Sequence, residues 1–413
     1  MNTINKLILM ILFGALTWNL SAQENTLNEY LVEAGENNPG LKAAYQEYYA
    51  ALEKIPQVGA LPDPKLSFGY FISPVETRLG PQQFKVSISQ MFPWFGTLKG
   101  KEKVSAEKAK VKYQKFNSLK NEIYKDVKKK WYELYKVQEA IRITRKNLEV
   151  LNSLKQITDR NYETGETQMT DILRLKVNIR EQENELEDRQ EKLATLKTEF
   201  NLLLNKDETA SIDPPEEIVQ DSFDLVAYRD SIRNNPDLTA LKHKENSLEH
   251  EYEVAKKQGY PNISLALEYA VIGERTDMQA NNSGRDIFMP MIGISIPIYR
   301  KKYDAMQKEK QLELEAVQSL QQEQVNSLSS QYKNAEEQYV DALRKVNLYK
   351  EQTEETERIY NLLKTSYSAD GQDFYELLRT RLMALKFELK YEKAKANQNI
   401  AVVKMKYLTN QNQ

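Results

Sequence analysis

The sequence predicts an α+β protein in which long antiparallel helical hairpins alternate with short amphipathic strands. Three observations predict it. A tip-like stretch occurs twice, as YETGETQMTDILR from Tyr162 and as YSADGQDFYELLR from Tyr367, and each interrupts a helix-forming run at a glycine, Gly165 and Gly371. Four short runs alternate between apolar and polar residues, the period of a strand with two unlike faces. The order of features in the first half of the chain returns in the second, roughly 200 residues on, far beyond the ~20–50-residue period of a solenoid.

Taken in order, the chain opens with a leader over residues 1–22: Lys6 is the positive end, Leu7–Leu16 the apolar stretch, and Ser21-Ala22 a small-residue cleavage site. The first repeat spans 23–205. A helical pattern broken at the ENNPGL of Glu36–Leu41 is followed by strands over about 64–73 and 82–92 and a helical hairpin over 97–204. In the strands Leu66, Phe68, Tyr70 and Ile72, then Phe84, Val86, Ile88 and Phe92, share one face, against Lys85, Ser87 and Ser89. The linker 206–222 carries Pro214-Pro215, which forbids helix continuation. The second repeat, 223–409, reopens with the RNNPDL of Arg233–Leu238 and has strands over about 262–272 and 286–296 and a hairpin over 303–407. Its apolar faces are Ile263, Leu265, Leu267, Tyr269 and Val271, and Phe288, Ile292, Ile294 and Ile296; Pro290 interrupts the last strand, tolerable at an edge or a bulge but awkward mid-sheet. Helices of about 60 residues, at ~1.5 Å per residue, call for a rod. Their apolar residues, such as Ile123, Val127, Trp131 and Leu134, follow a coiled-coil spacing.

Composition narrows the function. Lysine plus arginine (58) balance aspartate plus glutamate (60), which excludes the basic excess of a nucleic-acid binder. There is no cysteine and there are two histidines, so thiol chemistry, disulfides, a lipoprotein anchor and His/Cys metal centres drop out. After the leader no run reaches the ~18 apolar residues of a spanning helix, so membrane entry requires strands in a closed barrel. The alternating runs fit such a barrel or a half-buried soluble strand equally well. No nucleophile–base set stands out, so an enzyme is not expected, and no cofactor is implied. His243 and His250 read as surface histidines of a charged helix, and Met278, Met289 and Met291 as space-filling side chains, although methionine is also a soft copper(I) ligand.

The duplicated order of Asn-Asn-Pro helix, strand pair, long helix, Tyr-to-Gly tip and return helix resembles the TolC-like outer-membrane efflux protein family, over roughly Leu27 to Leu408. FPWFG at Phe92–Gly96 sits where that family's strands swing into its helices. The resemblance implies an α+β membrane protein: a homotrimer in which each chain gives four strands to a twelve-stranded β-barrel in outer-membrane lipid, continued by an α-barrel of coiled-coil hairpins across the periplasm. It implies a passive duct for a tripartite efflux pump or a type I secretion system. The partners would be a periplasmic membrane-fusion adaptor and an inner-membrane pump of the RND or ABC type. The alternative from another class is a periplasmic coiled-coil adaptor or scaffold, whose strand faces would be buried within one monomer.

The same resemblance implies a periplasmic gate at the hairpin tips. Thr170-Asp171 matches the family's threonine–aspartate pair, and Tyr367 matches the tyrosine held against it; Gln372 stands where the family has an arginine. Glu376 matches the first acid of the family's pore-narrowing ring, while Arg379 stands where the second would be. The plainer readings are Asp171 as a first-turn acid on the helix dipole and Asp373-x-x-Glu376 as a variant capping box. For the gate, a hydrogen bond from Tyr367 to Asp171 is the expected contact.

Overall fold

A long helix needs a run without breakers, and the two longest such runs here underlie the two longest helices. Lys101–Glu163 and Arg300–Asp370 contain neither proline nor glycine. The computed structural model describes residues 26–225, 229–278, 281–370 and 374–411; the leader, Gly371, Gln372 and Asp373 therefore lie outside the described residues. The elements are α1 (residues 26–37), α2 (Pro39–Gly59), β1 (Lys65–Tyr70), β2 (Glu76–Thr77), β3 (Gly80–Phe92), α3 (Thr97–Glu163), α4 (Met169–Leu203), a 3-10 turn at Arg229–Asn234, α5 (Pro236–Gln258), β4 (Asn262–Ile272), β5 (Ile287–Ser295), α6 (Arg300–Asp370) and α7 (Phe374–Leu408). The helix α6 runs past the expected Lys364 to Asp370. Nothing in Thr365–Asp370 breaks it, so Tyr367 sits inside the helix and not in the turn.

Two compact units form. The first combines the residues up to Ala43 with Asn117–Pro236 and the chain from Val325; the second combines Ala44–Phe116 with Asp237–Gln324. These units cut across the sequence repeats, because each gathers like elements from both halves of the chain.

In the second unit the strands form one antiparallel sheet in the order β1-β3-β4-β5, with the short β2 paired to β3. Its register lines up the two faces. Phe68 lies opposite Val86, Val86 opposite Tyr269, and Tyr269 opposite Phe288, while Ser87 lies opposite Glu268 and Ser89 opposite Ala266. A bulge between Gln82 and Phe84 shifts the register near one end. Gly80, at φ +130, lets the strand end approach the other loop closely, since a Cβ there would meet the Gly273 carbonyl oxygen at 1.9 Å. On the helical side, buried and partly buried carboxylates tie α3, α5 and α6 together. Glu107 meets His243 Nδ1 at 2.8 Å, Glu251 meets Lys108 and Lys310 at 2.7 and 3.2 Å, and Glu245 accepts from Gln318 and Gln321 at 3.1 and 3.2 Å.

The first unit is helical. Tyr30, Trp131 and Phe200 cluster with ring centroids 5.1–6.1 Å apart. The linker is irregular but strapped to α7, where Asn399 accepts from the Asp221 backbone at 3.0 Å and donates to the Val219 carbonyl at 2.7 Å. Among the described residues no helix is long and apolar enough to cross a membrane.

Candidate functional site: an uncovered sheet face and the hairpin tip

Alternation sends every second strand residue to one face, and among the described residues the apolar one is left largely uncovered. Phe68 is 72% exposed, Phe288 64% and Ile292 76%. Burying such a face recovers about 25 cal/mol per Å2 of apolar surface, so a sheet that leaves it open is built for an apolar surround. The opposite face carries an ion pair, Lys85 to Glu268 at 3.2 Å, and Met289 and Met291 stand on that polar face, opposite Glu268 and Ala266.

The second part of the site is the tip in the first unit. The turn from α3 to α4 closes with two backbone bonds, Gly165 N–H to the Tyr162 carbonyl (3.1 Å) and Glu166 N–H to the Asn161 carbonyl (2.8 Å). Gly165 has φ +82. This is a Schellman cap, which requires a residue at ease with positive φ. Gln168 then caps α4 without a side-chain bond. Asp171, in the first helical turn, accepts from Thr167 Oγ1 at 3.3 Å and from Arg174 Nη1 at 3.4 Å, while Thr170 donates to Gln168 Oε1 at 3.3 Å.

Tyr367 is fully buried. It lies in a cluster made by Leu151 and Leu154 of α3, Leu175 and Ile179 of α4, Tyr360 of α6, and Phe374, Leu377 and Leu378 of α7. Its hydroxyl donates to Thr158 Oγ1 at 3.2 Å. The expected bond from Tyr367 to Asp171 is therefore not the one present. The phenol is held inside the seam between the hairpins, whereas Asp171 is satisfied locally on its own helix. Glu376 lies in the first turn of α7, half-exposed, with Arg379 Nη1 at 3.4 Å, and the Arg174 guanidinium sits 5.6 Å from the Tyr375 ring.

Three polar residues of this seam escape a reading based on motifs. Thr158 and Asn147 of α3 are wholly buried, and Arg381 of α7 is 3% exposed. Arg381 Nε donates to Asn147 Oδ1 at 2.9 Å, Nη1 reaches Glu357 at 3.3 Å, and the guanidinium lies 5.3 Å from the Tyr360 ring. Burial pushes the Tyr360 phenol above its ordinary value, outweighing the opposing pull of the Arg381 cation. The available signal was spacing. Asn147, Leu151, Leu154 and Thr158 follow the four-three-four rhythm of a coiled-coil seam, so the polar ends are buried by position.

Comparison with known proteins agrees with this geometry. The sequence model of the outer membrane efflux protein family matches residues 30–205 and 227–411. Among solved structures, the chain is similar to the outer membrane protein VceC of Vibrio cholerae, with a TM-score of 0.78 and 14% identity, covering 94% of this chain and 97% of that one. It is similar to the CmeC outer membrane channel of Campylobacter jejuni (TM-score 0.75, 14% identity, covering 94% and 86%). It is also similar to the outer-membrane channel OprN (TM-score 0.76, 16% identity, covering 93% and 90%). At these identities the structural likeness carries the fold. No curated protein sequence matches the chain significantly.

Proposed function

The chain belongs to the outer membrane efflux protein family, and from that premise we propose that three copies build one export duct. Each copy contributes β1, β3, β4 and β5 to a twelve-stranded barrel in the outer membrane. The hairpins α3–α4 and α6–α7 continue it as a cylinder of helices in the periplasm. The leader over residues 1–22 is removed on export. The duct is passive and takes its cargo from a periplasmic adaptor and an inner-membrane pump of the RND or ABC type.

The observation that carries this reading is the uncovered apolar sheet face beside a polar, ion-paired one. An adaptor or scaffold would need those strand faces covered within the monomer. Lipid outside and water inside satisfy both faces of a closed barrel.

The hairpin tips form the periplasmic gate in this proposal. Tyr367, bonded to Thr158, holds the second hairpin against the first. Thr170 and Asp171 order the first turn of α4, Gly165 closes the first tip, Glu376 faces the opening, and Gly371 and Gln372, outside the described residues, are assigned to the second tip from the sequence alone. Reconstitution in planar bilayers tests the duct directly: the full chain should give discrete ion-conducting events. Glu376→Gln should leave conductance nearly unchanged and lower the preference for cations over anions. A protein that stays soluble without detergent and conducts nothing defeats the reading.

A further inference from the structure

The seam between the hairpins is apolar in the middle and polar at both ends. Leu151 and Leu154 fill its centre, while Thr158 and Asn147 close it toward and away from the tip. Leucine layers alone tolerate slippage; a buried polar partner fixes register at a cost in stability. Thr158 is occupied by Tyr367. Asn147 holds Arg381 through Oδ1, and its amide nitrogen has no partner among the described residues. A leucine at position 381 would fill the seam without desolvating a charge, so packing alone does not account for the guanidinium.

The partners of Arg381 are divided in a telling way. Its countercharge, Glu357, and the aromatic face of Tyr360 both belong to α6, so they travel with α7 in the second hairpin. Its tie to the first hairpin is to a neutral amide on α3. Separating the hairpins at this point breaks one neutral-acceptor bond and leaves the cation paired. Orphaning a buried charge is the costly event, and this arrangement avoids it. Thr158 and Asn147 stand ~16 Å apart along α3 at 1.5 Å per residue. Two ties at that separation fix the sliding and the swing of one hairpin on the other; one tie fixes neither fully.

We propose that Arg381 is a positioning residue of the gate: it holds the second hairpin in its resting register on α3 through Asn147, and it releases that tie when the gate opens while keeping Glu357. This rests on the reading of the tips as a gate. With an ionised donor the tie is already charge-assisted, and a charged acceptor adds the attraction of opposite charges in a buried seam. Asn147→Asp should therefore convert a releasable contact into an ion pair that does not let go.

The test uses the full chain in planar bilayers, with thermal melting of the detergent-solubilised protein as the control for assembly. Asn147→Asp should give about tenfold fewer openings than wild type at neutral pH, and the openings should return as acid protonates the new carboxylate. A purely structural role predicts no such pH reversal. Arg381→Lys keeps the charge and Glu357 but loses the planar fork, so it should open several-fold more often with melting little changed. Should Asn147→Asp fail to assemble, Arg381→Lys decides alone. Wild-type gating in Arg381→Lys, or in an assembled Asn147→Asp at every pH, overturns the proposal. If Tyr367→Phe changes conductance while neither of these does, the gate reading stands and the role of Arg381 falls. If none of the three changes it, the gate reading falls and this proposal with it.

Discussion

At the scale of single residues, the hydroxyl of Tyr367 is the group to remove first, because it is buried and has one partner across the seam. Tyr367→Phe deletes the bond to Thr158, a loss of about 0.5–1.5 kcal/mol for a neutral bond. Thr158→Val deletes the same bond from the other side; Thr158 otherwise donates only to the Leu154 carbonyl of its own helix. Each variant should raise conductance in bilayers, and the double variant should do no more than the stronger single one, since both remove one interaction. Additive effects would place the two groups in separate roles. Tyr367 stood out in the sequence because it heads a repeated motif. Its partner did not. A motif shows what is near along the chain, and Asp171 is near only in that sense; Thr158 is brought opposite by the helical register of two elements far apart in sequence. The extension of α6 to Asp370 turned the tyrosine inward, and only the spacing of polar residues along α3 hinted at where it would land.

Among the elements, the strands were the most legible part of the fold, because a period of two declares which residues share a face before any pairing is known. The observed register keeps Ile88, Leu267 and Leu66 together and sets Ser87 beside Glu268. Which neighbours each strand takes was not legible, since alternation says nothing about order. Ile88→Lys and Leu265→Lys should block membrane assembly, each costing about 2–4 kcal/mol near the bilayer midplane. Ser87→Lys and Ser264→Lys, on the polar face, should assemble as wild type; heat-modifiable mobility in outer-membrane fractions reads the difference, and equal damage from both pairs would mean that both faces are buried. The helices of the second unit offer a separate test in pH. Burial alone would raise Glu107, but hydrogen bonds from Lys110, His243 and Asn246 outweigh it and hold the carboxyl below its ordinary value. Burial is likewise outweighed at Glu251 by Lys108 and Lys310, and at Glu245 the bond from Lys242 lowers the carboxyl directly. Groups depressed on folding stabilise above their unfolded value and lose that contribution as pH falls through the folded one. Melting temperature should therefore hold steady down to about pH 5 and drop below about pH 4.3. The triple change of Glu107, Glu245 and Glu251 to glutamine should be less stable at neutral pH and flatter in acid.

For the whole molecule, the sheet order β1-β3-β4-β5 leaves β1 and β5 as the outer strands, and a bilayer does not tolerate an unpaired edge. Each backbone group left unsatisfied in hydrocarbon costs several kcal/mol, so in the proposed duct the edges of one copy are met by those of another. Two copies would close an eight-stranded barrel, whose interior side chains alone would fill. Three copies give twelve strands and leave a lumen, which is what a duct needs. Light scattering on the detergent-extracted protein should accordingly return a trimer. The absence of cysteine allows a sharper test of the junction. Ser67→Cys on β1 can be paired in turn with Met289→Cys, Met291→Cys or Gly293→Cys on β5, all on the polar face. Where β1 of one copy lies beside β5 of the next, one of these pairs comes within the ~4.4–6.8 Å Cα separation of a disulfide. Oxidation should then give a ladder ending at three chains on a denaturing gel, while each single cysteine stays monomeric under the same treatment. β1 and β5 are separated by two strands within one copy, so a link between them reports a neighbour. Three pairs that all fail to cross-link in a conducting preparation would mean that the barrel closes by some other pairing of edges.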